Sequence, residues 1–119
     1  MMITITLPWP NRRLSPNARL FWATKARAVR DARETARLLT MQANGDGPVP
    51  VWLNPLPVRW QFYPPTKRRY DRDNLIASCK AYQDGIADAV SLDDFRFMSS
   101  YEFGEVTAGG KIVVEIGVI

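Results

Sequence analysis

The sequence predicts an α+β fold: a small mixed β-sheet with two α-helices packed on it, in the order β-α-β-α-β-β. Three observations predict it. Short stretches alternate apolar and polar residues, as half-buried strands do. Two longer stretches step their apolar residues by threes and fours, as amphipathic helices do. Clusters of proline and glycine separate the two kinds of segment.

Met2 to Leu7 alternates Ile3, Thr4, Ile5, Thr6 and Leu7 and reads as the first strand, which Pro8 and Pro10 stop. Residues 8–18, PWPNRRLSPNA, form a basic loop. A helix follows from about Leu20 to Asn44, with Trp22, Ala26, Val29, Ala32 (or Arg33), Ala36 and Leu39 on one face. Asn44-Gly45 and Gly47-Pro48 end it. Val49 to Pro57 holds three prolines and reads as an edge or loop segment. Val58, Trp60 and Phe62 alternate with Arg59, Gln61 and Tyr63 in a second strand, closed by Pro64-Pro65. A second helix begins at about Asn74, with Leu75, Cys79, Tyr82, Ile86 and Ala89 as its apolar stripe. Ser91-Leu92-Asp93-Asp94 ends that helix, and Phe95 to Phe103 reads as a strand. Thr107-Ala108-Gly109-Gly110 turns the chain into a last strand, Ile112 to Ile119. No repeat, low-complexity tract or linker interrupts the pattern, so residues 1–119 read as a single domain.

Composition narrows the chemistry. The chain has no histidine, which removes histidine-based triads, histidine zinc sites and nucleases with a histidine base. One cysteine excludes an internal disulfide framework and a multi-thiolate zinc site, so a reducing cytoplasmic setting is expected. No run approaches the ~20 apolar residues of a membrane span, and the N-terminus lacks the basic start and apolar stretch of a signal peptide. The charge is uneven. Residues 1–69 carry 12 of the 16 basic and 3 of the 12 acidic residues, a balance of +9. Residues 70–119 carry 4 basic and 9 acidic residues, a balance of −5. Such asymmetry fits either a nucleic-acid binder or a solvated surface with a basic tilt.

The stretch from Lys67 to Leu75, KRRYDRDNL, carries the candidate chemistry. Asp71 and Asp73 are two residues apart between a strand end and a helix start. In an extended segment such residues point the same way, so both can converge on one ion. Hard oxygen ligands suit Mg²⁺, with Mn²⁺ as a substitute, and Mg²⁺ binds one or two carboxylates together with substrate phosphates. Metal-bound water supplies a nucleophile without histidine. Arg68 and Arg69 can hold a phosphodiester beside it. The plain structural alternative is that Asp73 caps the helix and Asp71 pairs with Arg69 or Arg72. Asp93-Asp94 lies beyond a helix of ~17 residues, ~25 Å long. Asp94 therefore reaches the first pair only if the chain after residue 91 doubles back.

The segment Arg68 to Leu75, the helix with Gln83-Asp84-Gly85-Ile86, and Leu92-Asp93-Asp94 together resemble the RusA family of Holliday junction resolvases. Ile5-Thr6-Leu7-Pro8-Trp9-Pro10 and Tyr63-Pro64-Pro65 are similar to the same family, and the resemblance runs through most of the chain. It implies a Mg²⁺-dependent endonuclease of phage or bacterial cytoplasm that binds four-way DNA junctions as a homodimer and nicks two strands. The implied metal ligands fall on Asp71, Asp73 and Asp94. The family's lysine in the first helical turn falls on Ala77 here, a departure, and Lys80 is the candidate to replace it.

The remaining candidates have plain readings beside the functional one. Arg12, Arg13, Arg19, Arg27, Lys67 and Arg72, with Arg68 and Arg69, are candidate DNA contacts, or solubilising charge. Lys80 and Asp84 are spaced as a helical ion pair, and Asp84 and Asp88 as a solvated face. Cys79 falls in the apolar stripe. Trp9, Trp22, Trp52 and Trp60 can stack on unpaired bases, whereas core packing suits Trp60 and also Trp22. The alternative to a nuclease is a non-catalytic binder of branched DNA or structured RNA.

Overall fold

A computed structural model describes residues 2–45 and 52–117. Strand β1 is Met2–Pro8, helix α1 Trp22–Asn44 and strand β2 Leu56–Tyr63. Helix α2 is Arg72–Ala77 and α3 Lys80–Val90. Strands β3, Phe97–Phe103, and β4, Lys111–Gly117, complete the chain. The fold is the expected α+β arrangement, a mixed four-stranded sheet ordered β1-β4-β2-β3. Strand β4 runs antiparallel to both β1 and β2, and β3 runs parallel to β2. A parallel pair needs a crossover, and α2 and α3 supply it.

Period-2 alternation sorts the sheet into two faces. Ile5, Leu7, Leu56, Val58, Trp60, Phe62, Ile112, Val114 and Ile116 are all buried. The register sets Val114 opposite both Ile5 and Trp60. On the other face Arg59 pairs with Glu102 at 2.8 Å and Glu115 at 3.3 Å, and Gln61 donates to Glu115 at 2.8 Å. Helices α1 and α3 pack closely on each other, with α1 also against β1. Their contact is small-residue packing: Gly85 of α3 lies against Ala36 and the Arg33 backbone of α1.

Several local expectations are corrected. Helix α1 begins at Trp22, not Leu20, and Trp22 is 74% exposed, so it is not a core residue. The buried stripe of α1 is Ala32, Ala36 and Thr40, with Ala28 and Leu39 partly buried against the core. The second helix is two helices. Ser78 Oγ and Ser78 N–H both donate to the Asn74 carbonyl, at 2.8 and 2.9 Å. The Cys79 N–H turns to Ile76 O instead, an i−3 bond that breaks the α-helical ladder. Asp94 and Phe95 lie in a 3₁₀ turn, Asp94–Arg96, and the strand begins only at Phe97. Leu56 and Pro57, read as edge or loop, belong to β2.

Cys79 is buried as expected, and burial pushes its thiol up to about 12. Trp60 is 1% exposed and core, also as expected. Gly45 caps α1 with φ +69, where an L side chain is strained. The expected Gly47-Pro48 stop, residues 49–51 and the end of the last strand at 118–119 lie outside the described residues. Among the described residues no helix is long and apolar enough to cross a membrane.

Candidate nucleic-acid interface

The basic loop after β1 and the basic run after β2 meet. A short 3₁₀ turn, Arg12–Leu14, is capped by Asn11, whose side chain accepts from the Arg13 N–H at 2.9 Å. Leu14 buries itself and anchors the loop to the core. The result is a cleft of about 570 Å³ whose lining includes Arg12, Arg13, Arg19, Arg68, Arg69 and Asp71. None of these five arginines forms an ion pair among the described residues. Arg33, Arg37 and Arg59 elsewhere are all paired with carboxylates. Unpaired cations gathered in one cleft repel one another and focus a positive potential that favours a polyanion.

The cleft wall is aromatic. Trp9 meets Tyr70 edge-on, with ring centroids 5.5 Å apart, and also meets the Phe62 ring of the core edge-on at 6.4 Å. The Arg68 guanidinium lies 4.9 Å from the Tyr70 ring centre. Charge and aromatic surface are thus combined at one place. Trp9 and Tyr70 line the cleft with Asn11, Asn17 and Asn74. Trp9 was legible as a stacking candidate; Tyr70 and Asn74 fall in the RusA-like segment with no role assigned, and Asn11 and Asn17 carried no signal beyond their position in the basic loop.

Asp71 is the N-cap of α2: its carboxylate accepts the Asn74 N–H at 3.1 Å. The plain structural alternative put the cap at Asp73. Helix α2 begins at Arg72, two residues earlier than expected, so Asp73 lies in its first turn. The two side chains therefore do not share an extended strand. Both remain exposed at the start of the helix.

The chain does double back after residue 91. Asp94 returns to the start of α3, where Lys80 Nζ donates to its carboxylate and Gln83 donates at 3.1 Å. Lys80 also pairs with Asp84 at 3.0 Å. The hydrogen bond from Lys80 holds the Asp94 carboxyl below its ordinary range, and the same bond raises the Lys80 ammonium. Asp94 lines a different cleft, with Arg33, Asp88 and Asp93. Among the described residues no three carboxylates or thiols gather as a metal-holding group. Asp94 is thus engaged by Lys80 and Gln83 and lines a different cleft from Asp71. The oxygen-only donors of Asp71 and Asp73 remain chemically suited to Mg²⁺ with waters and a phosphate completing its shell.

Three expected DNA contacts fall outside the cleft. Arg72 lies over the Phe103 ring, 4.5 Å from its centre. Lys67 and Arg27 are exposed on the loop and on α1. Asp88, exposed as expected, is also bound by Arg33 through two hydrogen bonds of 2.6 and 2.8 Å.

The chain matches no protein-family model. A protein of Xylella fastidiosa (strain Temecula1 / ATCC 700964), named "Uncharacterized protein", is 43% identical over 123 residues, covering 97% of this chain and 76% of that protein. That identity over so much of both chains places this chain in one family with the Xylella protein.

Proposed function

We propose that the chain is a Mg²⁺-dependent endonuclease acting on branched DNA, with four-way junctions as its substrate and a homodimer as its working form. One observation carries the reading: five arginines without carboxylate partners among the described residues line a cleft that also holds Asp71. Phosphodiesters are the ligands that such a cleft attracts. The RusA resemblance of the same segment supplies the reaction class.

In this reading Arg68 and Arg69, beside Asp71, fix the scissile phosphate, and Arg12, Arg13 and Arg19 of the same cleft hold the strand. Asp71 and Asp73 would hold the ion, whose chemistry when bound is to polarise the phosphodiester and acidify a water. The Asp71 carboxylate uses one acceptor site for its cap, which orients it without consuming its remaining lone pairs. Paired nicks need two such sites related by two-fold symmetry, the commonest symmetry of oligomers.

A second reading, a non-catalytic binder of branched DNA or structured RNA, is favoured by one observation: Asp94 is held by Lys80 rather than beside Asp71. A synthetic four-way junction incubated with and without Mg²⁺ separates the two. Mg²⁺-dependent paired nicking supports the nuclease, and tight binding without nicking supports the binder. Light scattering on the same sample reports the dimer.

A further inference from the structure

We propose that the outward face of α1 at its first turns is a track for an unpaired nucleic-acid strand, continuous with the arginine cleft. Phe21 and Trp22 are 69% and 74% exposed, with ring centroids 5.7 Å apart. Two adjacent large aromatics left in water are a costly arrangement, and such patches mark contact surfaces. Trp22 also lines, with Lys25, Ala26, Val29, Arg30 and the Asp88-paired Arg33, a shallow groove of about 550 Å³. Arg19 and Leu20, the residues just before the pair, line the arginine cleft. The aromatic pair therefore stands where the cleft ends and the groove begins.

Charge selects the occupant. The first thirty residues contain no aspartate or glutamate, and the first acid on α1 is Asp31. Arg27 and Arg30 form no ion pair among the described residues. A second copy docked symmetrically on this face would bring the same cations against each other. An unpaired strand offers both complements at once: exposed base faces for Phe21 and Trp22, and phosphates for Lys25 and Arg30. A duplex hides its base faces in the stack, so the aromatic pair adds affinity only for the unpaired strand. The proposal rests on the nucleic-acid part of the reading above and is independent of cleavage.

The test measures binding of the full chain by fluorescence anisotropy in EDTA, with labelled twelve-nucleotide oligo-dT and a duplex of equal length as probes. Trp22→Ala should weaken oligo-dT binding about tenfold, at the lower end of a stacking loss, and leave duplex binding unchanged. Trp22→Phe, which keeps a stacking face, should retain most of the affinity. Unchanged oligo-dT binding by Trp22→Ala would overturn the proposal, as would an equal loss for both probes or an equal loss in Trp22→Phe. A dimer that Trp22→Ala converts to monomer would also overturn it, by making this face a subunit interface. Duplex binding by the parent chain, with oligo-dT binding that Trp22→Ala does not change, sinks the track alone. Absence of binding to either probe sinks the track and the nucleic-acid reading of the cleft together.

Discussion

Gly85 of α3 lies against the backbone carbonyl of Arg33 in α1: a Cβ on Gly85 would stand 2.1 Å from that oxygen and 2.9 Å from the Ala36 Cβ. The obstacle is backbone, which cannot rotate aside as a side-chain end can. Alanine favours helix over glycine by about 1 kcal/mol. That gain is outweighed here, because overpacking a tight contact costs about 1–3 kcal/mol and this contact is among the tightest. Gly85→Ala should therefore be net destabilising, by up to about 2 kcal/mol. Urea unfolding checks it, and a stabilised variant would show that the helices can part freely.

The fold was legible because its period is plain. Val58-Arg59-Trp60-Gln61-Phe62 alternates, and β2 buries Val58, Trp60 and Phe62 as that alternation requires. Trp22 was misread because helical spacing alone does not tell where a long helix outruns the body it packs on. The break at Ser78 was hidden because Leu75, Cys79, Tyr82 and Ile86 keep a helical step across it. Ser78 hydroxyl competition for the Asn74 carbonyl is a local chemistry that apolar periodicity ignores. Both basic segments stood out in the sequence, but their meeting in one cleft depends on Leu14 anchoring the first loop, a tertiary contact. The partner of Asp94 was equally out of reach, since Lys80 lies fourteen residues earlier across a helix and a turn.

Asp71→Asn and Asp73→Asn should each abolish Mg²⁺-dependent nicking of a four-way junction while leaving junction binding intact. Each removes a carboxylate and no cation. Asparagine also caps helices well, so Asp71→Asn keeps α2 in place. Gel analysis of nicked arms against a binding assay in EDTA separates the two effects. Undiminished nicking by both variants would remove these residues from the chemistry.

Junction affinity should fall steeply with salt, because phosphate neutralisation releases counterions. Arg68→Gln and Arg69→Gln should weaken binding and flatten that slope, each by about one unit of log affinity per log salt. The same substitution at Arg59, paired with Glu102 and Glu115 on the far face of the sheet, should leave the slope unchanged. Anisotropy titrations from low to moderate salt measure all three. Equal slopes in all of them would contradict the cleft as the phosphate site.

Arg33 holds Asp88 with two hydrogen bonds and lowers its pKa, mainly through the hydrogen bond. A carboxylate whose folded pKa lies below its unfolded value contributes stability above the unfolded value. That contribution is lost as pH falls through the folded pKa. Asp88→Asn should thus lower Tm slightly at neutral pH, since half-exposed pairs contribute little. The difference from the parent chain should vanish below the carboxylate range. Melting curves at neutral and strongly acid pH check the sign. A gap that widened on acidification would contradict this linkage.

Lys80 is the residue whose role the geometry sharpens most. It does not stand where the RusA lysine would fall, at Ala77, yet Ala77 and Lys80 line the same groove with Ser78 and Asp84. The break at Ser78–Cys79 separates them onto two short helices. Lys80 is engaged by Asp84 and Asp94, so its ammonium is fixed in place and stays charged. If that charge serves the phosphodiester, Lys80→Ala should cut nicking by at least about tenfold, the effect of ~1.4 kcal/mol at the transition state. A lysine introduced by Ala77→Lys on that background should restore a measurable part of the rate, since it enters the same groove. A purely structural Lys80, there only to pin Asp94, predicts a different pattern: a lower Tm, no rescue by Ala77→Lys, and partial recovery in the double variant Lys80→Ala with Asp94→Asn. Nicking rates and Tm measured on the four proteins distinguish the two roles. Full activity in Lys80→Ala alone would remove the lysine from the mechanism.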